Sequence, residues 1–378
     1  MIYNDFQDLK LSALGMGTMR LPVLDGDDSK IDVDAAREMI ELCMKSGINY
    51  YDTAYGYHGG KSETVVGQLL SEYDRSSFYL ASKFPGYDLS NMPKVEEIFE
   101  EQLEKCQVEY FDFYLFHNVC EMNINEYLDP KYGIFDYLIK QKKNGRIKHL
   151  GFSAHGDIDC ITRFLEACGK DMEFGQLELN YFDYRFQNAK EKVELLVKWN
   201  IPVWVMEPVR GGQLAELPQE AADRLKQARP DEAVPAWAFR FLQSIPSVTV
   251  TLSGMSDMEQ LKANIATYAD EKPLNEAEMK LILDIADEMI RNTAVPCTGC
   301  HYCVSKCPKE LDIPFLLKQY NEALVAGAGD FIAPMALSSV EADKQPECCI
   351  GCRSCEKVCP QTIRISEELK KFAVKMGR

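Results

Sequence analysis

The chain has 378 residues, enough for one large and one small domain, and 46% of them are hydrophobic, as in ordinary globular proteins. A formal charge of −17 argues against a nucleic-acid partner, which needs a basic face, and is explained most simply by solubility. The acidic N-terminal segment lacks the apolar core of a signal peptide, and no apolar run approaches the roughly 18 residues of a membrane span. We therefore expect a cytoplasmic protein without a membrane-spanning segment.

Short β-branched and aromatic segments alternate with helix-like segments from the N-terminus to about residue 290. Amphipathic segments such as 33–47 and 94–107 fill the gaps. Eight strand–helix units in about 270 residues match the count and size of a (β/α)8 TIM barrel, which we predict over residues 1–290. A doubly wound sheet, the alternative, more often carries a glycine-rich turn that the segment 15–18 lacks. The strand-like segments are 10–18, 48–54, 77–83, 110–118, 147–155, 174–181, 202–209 and 247–255.

Polar residues close several of these strand-like runs. In a barrel the C-terminal strand ends meet at one face, where such enzymes place their chemistry. The sequence therefore predicts an active site at that face. The residues concerned are Asp52, Lys83, His117, Ser153, Asn180 and Glu207.

One group of these side chains suits carbonyl reduction, with Tyr57 as the proton donor. A tyrosine holds its proton near neutrality because its ordinary pKa is about 10, and a neighbouring Lys83 ammonium would make it a better acid. Asp52 would pair with Lys83 and keep it charged, and His117 would orient the carbonyl oxygen or help relay the proton. Tyr55 lies nearby in the sequence and is an alternative to Tyr57.

Two copies of one cysteine pattern dominate the C-terminal part, residues 291–378. Each copy reads Cys-x2-Cys-x2-Cys-x3-Cys-Pro, the spacing that holds iron–sulfur clusters in bacterial-type ferredoxins. The two copies are Cys297, Cys300, Cys303 and Cys307, followed by Cys349, Cys352, Cys355 and Cys359.

The spacer between the copies is 41 residues long and contains an amphipathic helix pattern at 313–327. Compact ferredoxins have a much shorter spacer, so we predict a mainly helical dicluster domain. A helix-like segment at 275–292 leads into it.

We expect two 4Fe-4S clusters with crossed ligands, since the fourth cysteine of each copy binds the other cluster in two-cluster ferredoxins. Thiolates also suit zinc, but zinc sites need neither the third cysteine nor the trailing Cys-Pro. The remaining cysteines show no paired spacing, as expected for free thiols in a reducing cytosol, although Cys348 is an alternative spare ligand. These are Cys43, Cys106, Cys120, Cys160, Cys168 and Cys348.

Two motifs, DTAYGYHGGKSE at 52–63 and GMGT at 15–18, accompany Lys83 and His117 at successive strand ends. On these residues, the chain from 1 to 290 resembles the aldo–keto reductases. With the cysteine runs, the whole chain resembles the iron–sulfur-containing branch of that family. The resemblance implies that Asp52, Tyr57, Lys83 and His117 form a catalytic tetrad and that a nicotinamide dinucleotide binds across the barrel mouth.

The resemblance also assigns cofactor-binding positions. Ser153 and Gln176 stand where the family holds the carboxamide, and Met206 stands where an aromatic ring commonly stacks on the nicotinamide. Gly254 and Gln260 replace residues that are often basic in NADPH-specific members, whereas Asn264 matches the adenine-side asparagine. Losing both cations leaves the choice between NADH and NADPH open.

The glycine-rich segment after the seventh strand is a further candidate. Arg210, with Gly211 and Gly212, would hold a pyrophosphate, or the segment is an ordinary loop with a surface arginine.

We predict an oxidoreductase that reduces a small-molecule carbonyl with NAD(P)H and carries two clusters for electron transfer. Because hydride transfer needs no one-electron carrier, the clusters would exchange electrons with a ferredoxin or other redox protein, serve as a docking module, or reduce the substrate directly. Electron exchange with the barrel would need a pair-splitting group such as a flavin. The alternative is a non-catalytic electron-transfer subunit of a larger redox complex.

Overall fold

The computed structural model describes residues 1–326 and 332–378. The described chain divides into two compact units: a barrel unit, residues 1–210 and 214–282, and a C-terminal unit, residues 211–213 and 283–378. The predicted domain boundary at residue 290 stays a prediction. The last residue of the helix predicted at 313–327 lies outside the described residues.

Eight parallel strands form a closed barrel in the order β10-β3-β4-β5-β6-β7-β8-β9, which confirms the predicted fold. All eight predicted strand segments contribute a barrel strand. The strands are β1 (Tyr3–Phe6), β2 (Leu9–Ser12), β3 (Leu14–Gly17), β4 (Tyr50–Asp52), β5 (Tyr79–Phe84), β6 (Phe111–Val119), β7 (Ile147–Ala154), β8 (Phe174–Glu178), β9 (Val203–Met206) and β10 (Val248–Ser253).

The helices alternate with these strands and then continue alone. They are α1 (Val33–Lys45), α2 (Ser62–Leu70), α3 (Val95–Cys106), α4 (Ile124–Leu128), α5 (Ile134–Lys143), α6 (Ile158–Cys168), α7 (Asp183–Phe186), α8 (Ala189–Lys198), α9 (Gln219–Ala228), α10 (Val234–Gln243), α11 (Met258–Thr267), α12 (Glu276–Thr293), α13 (Ile313–Val325), α14 (Ile332–Ser338) and α15 (Ile365–Lys375). Aspartates cap α1, α6 and α11, where their carboxylates accept backbone N–H groups.

The N-terminal strands differ from the prediction. The segment 10–18 reads as one strand, but the chain breaks it at Ala13, and β1 and β2 form an antiparallel hairpin outside the barrel order. The hairpin has its own apolar role: Phe6 is 5% exposed and packs edge-on to Trp204 at 5.0 Å between ring centroids. Phe6 belongs to the same buried cluster as Phe113 and Leu11. The alternation in this segment therefore serves two elements.

The C-terminal unit repeats its backbone at an interval of 52 residues. Each copy of the cysteine pattern contains a short 3-10 helix, Val304–Lys306 or Glu356–Val358, and is followed by a longer helix, α13 or α15. Equivalent aromatic residues of the two copies, Tyr320 and Phe372, pack together at 5.3 Å between ring centroids. The core of this unit therefore forms where the two copies meet.

Among the described residues, no helix is both long enough and apolar enough to cross a membrane.

Candidate functional site

A buried ion pair lies at the C-terminal ends of β4 and β5. The Lys83 ammonium donates to Asp52 Oδ1 at 2.6 Å and to the Thr53 carbonyl at 2.7 Å, and Lys83 is fully buried. β4 ends at Asp52, which pairs with Ala81, two residues before Lys83 on the adjacent strand β5, so the strand pairing fixes the two side chains in one place. These contacts hold the ammonium in a single orientation.

Tyr57 lies over this pair, directly after β4. Lys83 Nζ is 5.1 Å from the centre of the Tyr57 ring, and the Tyr57 ring meets the His117 ring edge-on at 6.1 Å. The structure thus brings all four residues of the predicted tetrad together at one end of the barrel. Their catalytic roles stay a prediction.

Burial governs ionisation in this group. It raises the pKa of Asp52 and lowers the pKa of Lys83, and their mutual contact opposes both shifts. Burial also lowers the pKa of His117 well below its usual 6.5, so the imidazole is neutral near pH 7.

The tyrosine differs from the expectation based on Lys83. Burial, then the charges of Asp52 and Glu207, raise the pKa of Tyr57 well above 10. Because the Asp52 carboxylate already neutralises the Lys83 ammonium, the ammonium does not lower the pKa of the Tyr57 phenol. Tyr57 therefore holds its proton throughout the physiological pH range.

The alternative donor, Tyr55, is directed elsewhere. Its hydroxyl donates to Glu101 of α3 at 2.9 Å, and Lys105 of α3 lies 4.2 Å from its ring centre. These contacts favour Tyr57 over Tyr55 as the residue of the site.

Sequence reasoning missed Tyr87, in the loop after β5. Its ring meets the His117 ring edge-on at 5.2 Å. A Cβ at Gly56 would lie 2.2 Å from the Tyr87 hydroxyl, so a larger residue before Tyr57 would require the Tyr87 side chain to shift. The signal available in the sequence was a tyrosine four residues after the strand-ending lysine.

The residues assigned to the carboxamide lie on adjacent strands. Ser153 of β7 and Gln176 of β8 are register partners, and the Gln176 amide nitrogen contacts Met206 Sδ at 3.6 Å. Ser153 Oγ already accepts the Asn118 N–H at 2.8 Å. Gln176 Oε1 is buried without a hydrogen-bond partner in the described part of the chain, as are Asp52 Oδ2 and His117 Nδ1. Gln176 Oε1 is therefore available to accept a hydrogen bond from the carboxamide N–H of a nicotinamide ring.

Arg210 is not a surface residue. It is 7% exposed, its Nε donates to both carboxylate oxygens of Asp183 at 2.9 and 3.1 Å, and its guanidinium lies 4.9 Å from the Phe182 ring centre. The surface-arginine alternative is therefore wrong. Asn180 also binds Asp183, with its amide nitrogen at 2.7 Å from the carboxylate, which gives Asn180 a structural role. A role of Arg210 toward pyrophosphate stays a prediction.

The end assigned to adenine is rich in carboxylate and amide contacts. Asn264 of α11 is buried and donates to Ser253 Oγ at 3.1 Å. Asp257 caps α11 by accepting the N–H groups of Glu259 and Gln260, and the Gln260 side chain donates to its other oxygen at 2.7 Å. A carboxylate therefore occupies this helix N-terminus, where an anion would otherwise be favoured.

Gly254, after β10, leaves room for a side chain from another loop. A Cβ there would lie 3.3 Å from the Cγ and Cδ atoms of Arg20. The Arg20 guanidinium in turn lies 3.7 Å from the Glu207 carboxylate.

The cysteines of the C-terminal unit are grouped across the two copies. The pKa of Cys303 is raised to about 11, first by burial and then by the neighbouring thiols of Cys297, Cys300 and Cys359. The last of these belongs to the second copy, and the arrangement agrees with the crossed ligation expected from the sequence.

The second group mirrors the first. The pKa of Cys355 is raised to about 11 by burial, with Glu356, Cys349 and Cys307 as nearby groups. Cys307 belongs to the first copy.

The two cysteine loops also share their backbone. Gly299 and Gly351 take φ of 66° and 68°, and His301 and Arg353 take φ of 60° and 57°. These equivalent turns arrange each Cys-x2-Cys-x2-Cys segment in the same way.

The donor set fits iron–sulfur clusters, which are held by thiolates. Cys303 and Cys355 are buried, whereas Cys300 and Cys352 are exposed. Within residues 1–326 and 332–378, no three or more His, Cys, Asp or Glu side chains converge tightly enough for a single metal ion. A cluster instead distributes its thiolates over separate irons, so the ligand assignment stays a prediction.

Comparison with known proteins gives the family. Residues 13–287 match the model of the aldo/keto reductase family, and residues 296–364 match that of a 4Fe-4S dicluster domain. The chain therefore belongs to the aldo/keto reductase family and carries a C-terminal 4Fe-4S dicluster domain.

Two curated relatives match the barrel along nearly their full length. The uncharacterized oxidoreductase YqkF of Bacillus subtilis is 26% identical, over 73% of this chain and 92% of its own. The NADH-specific methylglyoxal reductase of Escherichia coli is 25% identical, over 75% of this chain and 97% of its own.

Two further matches concern the fold and the C-terminal part. A holo-form aldo-keto reductase from Bacillus halodurans has the same fold, with a TM-score of 0.63 and 23% identity over 75% of this chain and 96% of that one. Subunit alpha 1 of the acetyl-CoA decarbonylase/synthase complex of Methanosarcina mazei is 35% identical over 24% of this chain and 10% of its own length.

Proposed function

We propose that the protein reduces an aldehyde or ketone group of a small molecule with a nicotinamide cofactor. The observation that supports this most is the Lys83 ammonium, held between Asp52 Oδ1 at 2.6 Å and the Tyr57 ring at 5.1 Å. Reduction of a carbonyl builds negative charge on its oxygen, so the site must donate a proton there. The bound nicotinamide supplies the hydride for the carbon.

The chain's own residues supply the proton and orient the substrate. Tyr57 keeps its proton because burial raises its pKa, and it releases that proton only to a strongly basic oxygen. The ring of neutral His117 meets the rings of Tyr57 and Tyr87, and its N–H donates a hydrogen bond to the carbonyl oxygen without carrying charge. The Lys83 ammonium, 5.1 Å from the Tyr57 ring centre, stabilises the phenolate left after proton transfer, whereas the Asp52 carboxylate opposes it and favours return of the proton.

The cofactor we infer is NADH rather than NADPH. The residues that hold a 2′-phosphate by charge are replaced by Gly254 and Gln260, and the N-terminus of α11 is already occupied by the Asp257 carboxylate. A second negative group at that end would be repelled. The Escherichia coli relative that is named as NADH-specific agrees with this choice.

The dicluster domain would bind two 4Fe-4S clusters and exchange single electrons with a ferredoxin or other redox protein. One cluster would take Cys297, Cys300, Cys303 and Cys359, and the other would take Cys307, Cys349, Cys352 and Cys355. The exposed thiols of Cys300 and Cys352 support access from solution. Electron exchange with the barrel would require a flavin or an equivalent group at its mouth.

The experiment is an anaerobic assay of NADH and NADPH oxidation with a panel of aldehydes and ketones that includes methylglyoxal. Tyr57→Phe should lower carbonyl reduction by roughly 10²–10⁴-fold, the usual contribution of a positioned acid, while NADH still binds. Tyr55→Phe is the matched control and should keep the wild-type rate. Normal turnover by Tyr57→Phe would show that the acid is another group.

A non-catalytic electron-transfer subunit is the second candidate, favoured by the C-terminal match to a subunit of a larger complex. In that case the purified chain would oxidise neither NADH nor NADPH with any carbonyl, and it would co-purify with a larger enzyme.

A further inference from the structure

His58, the residue after Tyr57, adopts an unusual backbone conformation. Its φ of 53° lies in the left-handed region, as do those of Gly59 at 62° and Gly60 at 87°. Glycine is the least strained residue in that region, so the turn would be easier to form with a third glycine at position 58. Strain retained by a side-chain-bearing residue needs a compensating interaction.

The compensating interactions join His58 to the loop between β3 and α1, residues 18–32. His58 is 2% exposed, and its Nε2 accepts the N–H of Leu21 at 3.1 Å. Because a backbone N–H only donates, Nε2 carries no proton, and the proton lies on Nδ1. Nδ1 then donates to the Asp28 carbonyl at 2.8 Å. One imidazole therefore bridges the two arms of the β3–α1 loop.

The same loop touches the tetrad and the residues that follow β9 and β10. Thr18 donates to the Asp52 carbonyl through both its N–H and its hydroxyl at 2.9 Å. Lys61 donates to the Ser29 carbonyl at 2.8 Å. Arg20 lies against Gly254 and near Glu207, as described above. The loop thus runs from the tetrad to the end of β10. The two His58 bonds, with the bond from Lys61, tie it to the Tyr57 turn.

We propose that His58 is a positioning residue that fixes Tyr57 by fastening the β3–α1 loop to the turn that carries it. The proposal rests on the proposed carbonyl reduction for its kinetic consequence, but the tie itself is independent of the reaction. Without the imidazole, the β3–α1 loop loses its bonds from Leu21 N–H and to the Asp28 carbonyl, and the turn that carries Tyr57 is no longer held to it. The Tyr57 phenol then samples orientations that do not reach the substrate oxygen. Misplacement of a catalytic group by about 1 Å costs on the order of 100-fold in rate.

The test compares His58→Gly with His58→Asn and with Gln107→Gly. His58→Gly suits the positive φ and removes both bonds, whereas asparagine tolerates that φ and keeps a donor and an acceptor. Gln107 also has a positive φ, 55°, but is exposed after α3, far along the chain from the turn. Gln107→Gly therefore controls for a glycine placed in a left-handed position.

We expect His58→Gly to lower kcat by about 10- to 100-fold with little change in the KM for NADH. We expect His58→Asn to recover part of the loss, and added imidazole to raise the rate of His58→Gly but not that of wild type. Amide hydrogen exchange should speed up in residues 18–32 of His58→Gly and remain unchanged in Gln107→Gly. The exchange measurement needs no substrate, so it reads the tie even if the chain reduces no carbonyl.

Unchanged hydrogen exchange in residues 18–32 of folded His58→Gly would overturn the proposal. So would a kcat equal to that of wild type in a protein whose Tyr57→Phe variant is inactive. If Tyr57→Phe remains active while the loop of His58→Gly exchanges faster, the acid is another group and the tie stands. If the wild-type chain reduces no carbonyl while that loop exchanges faster, the proposed function fails and the tie stands.

Discussion

The barrel unit and the C-terminal unit build their candidate sites in opposite ways. The tetrad residues lie at or just after the ends of three neighbouring strands, β4, β5 and β6, from position 52 to position 117, and the parallel pairing of these strands brings them together. Each copy of the cysteine pattern lies within 11 residues, and one cysteine from the other copy completes each group of four. The first site depends on the global fold, and the second depends on local spacing plus one contact.

Charge separates the two regions as well. Residues 291–378 contain 12 lysines and arginines and ten acidic residues, whereas residues 1–290 contain 30 and 49. The acidity of the chain therefore belongs to the barrel, and the cysteine-bearing region is nearly neutral before it binds any cluster.

The largest expected effect breaks the barrel site at its ion pair. Lys83→Met should lower the rate of carbonyl reduction by on the order of 10³-fold. It should also destabilise the barrel by about 3–5 kcal/mol, because Asp52 is left buried and unpaired. Chemical denaturation and the anaerobic assay measure the two effects.

The double variant Asp52→Asn/Lys83→Met is the control for that prediction. It should regain stability but not activity. A stable and active Lys83→Met single variant would contradict the assignment.

The next effect tests the crossing between the cysteine copies. Cys303→Ser and Cys359→Ser should each disturb the same cluster, so the double variant should lose no more iron than either single variant. Cys303→Ser/Cys307→Ser should disturb both clusters. Iron analysis and low-temperature electron paramagnetic resonance distinguish these patterns, and the reverse result would show that each copy binds its own cluster.

A smaller effect concerns acid stability of the barrel. The folded pKa of His117 lies well below its usual 6.5, so below pH 6.5 the unfolded chain binds a proton that the folded chain does not. This contribution to stability is complete above pH 6.5 and is lost as the pH falls toward the folded pKa. His117→Gln should flatten the acid limb of unfolding free energy against pH, and an unchanged slope would contradict a buried neutral imidazole.

The smallest effect concerns the dinucleotide end. Asp257→Asn keeps a capping side chain on α11 but removes its charge, so the preference for NADH over NADPH should fall by about tenfold, or about 1.4 kcal/mol. Asp157→Asn, the equivalent cap of α6, should leave the preference unchanged. Equal ratios in wild type and Asp257→Asn would show that this cap does not face the phosphate.

The two regions also differ in how far sequence could predict them. Each cysteine pattern lies within a short contiguous segment, so its residues could be identified from the sequence without knowledge of the fold. The strand pattern predicted the barrel and placed Asp52, Lys83 and His117 at strand ends. It missed that the segment 10–18 contains part of a hairpin strand and a barrel strand, because alternation alone does not say which partner a strand takes.

Loop contacts were beyond sequence for a physical reason. Tyr87 and His58 act through rings and backbone groups that are distant along the chain, such as His117 and Leu21. Arg210 is similar, since its partner Asp183 lies 27 positions earlier and turns an apparent surface cation into a buried one. The contacts of these residues depend on how the loops pack at the barrel end, and loop packing has no periodic signal in the sequence.

The most direct test of the account is to follow a deuterium label from NADH, placed at the nicotinamide carbon that releases the hydride, into the alcohol product. The account predicts that the label appears on the carbinol carbon, both in the cluster-loaded protein and in Cys303→Ser, because the barrel alone performs the transfer. Loss of the label to water, or a product that forms only when the clusters are intact, would contradict it.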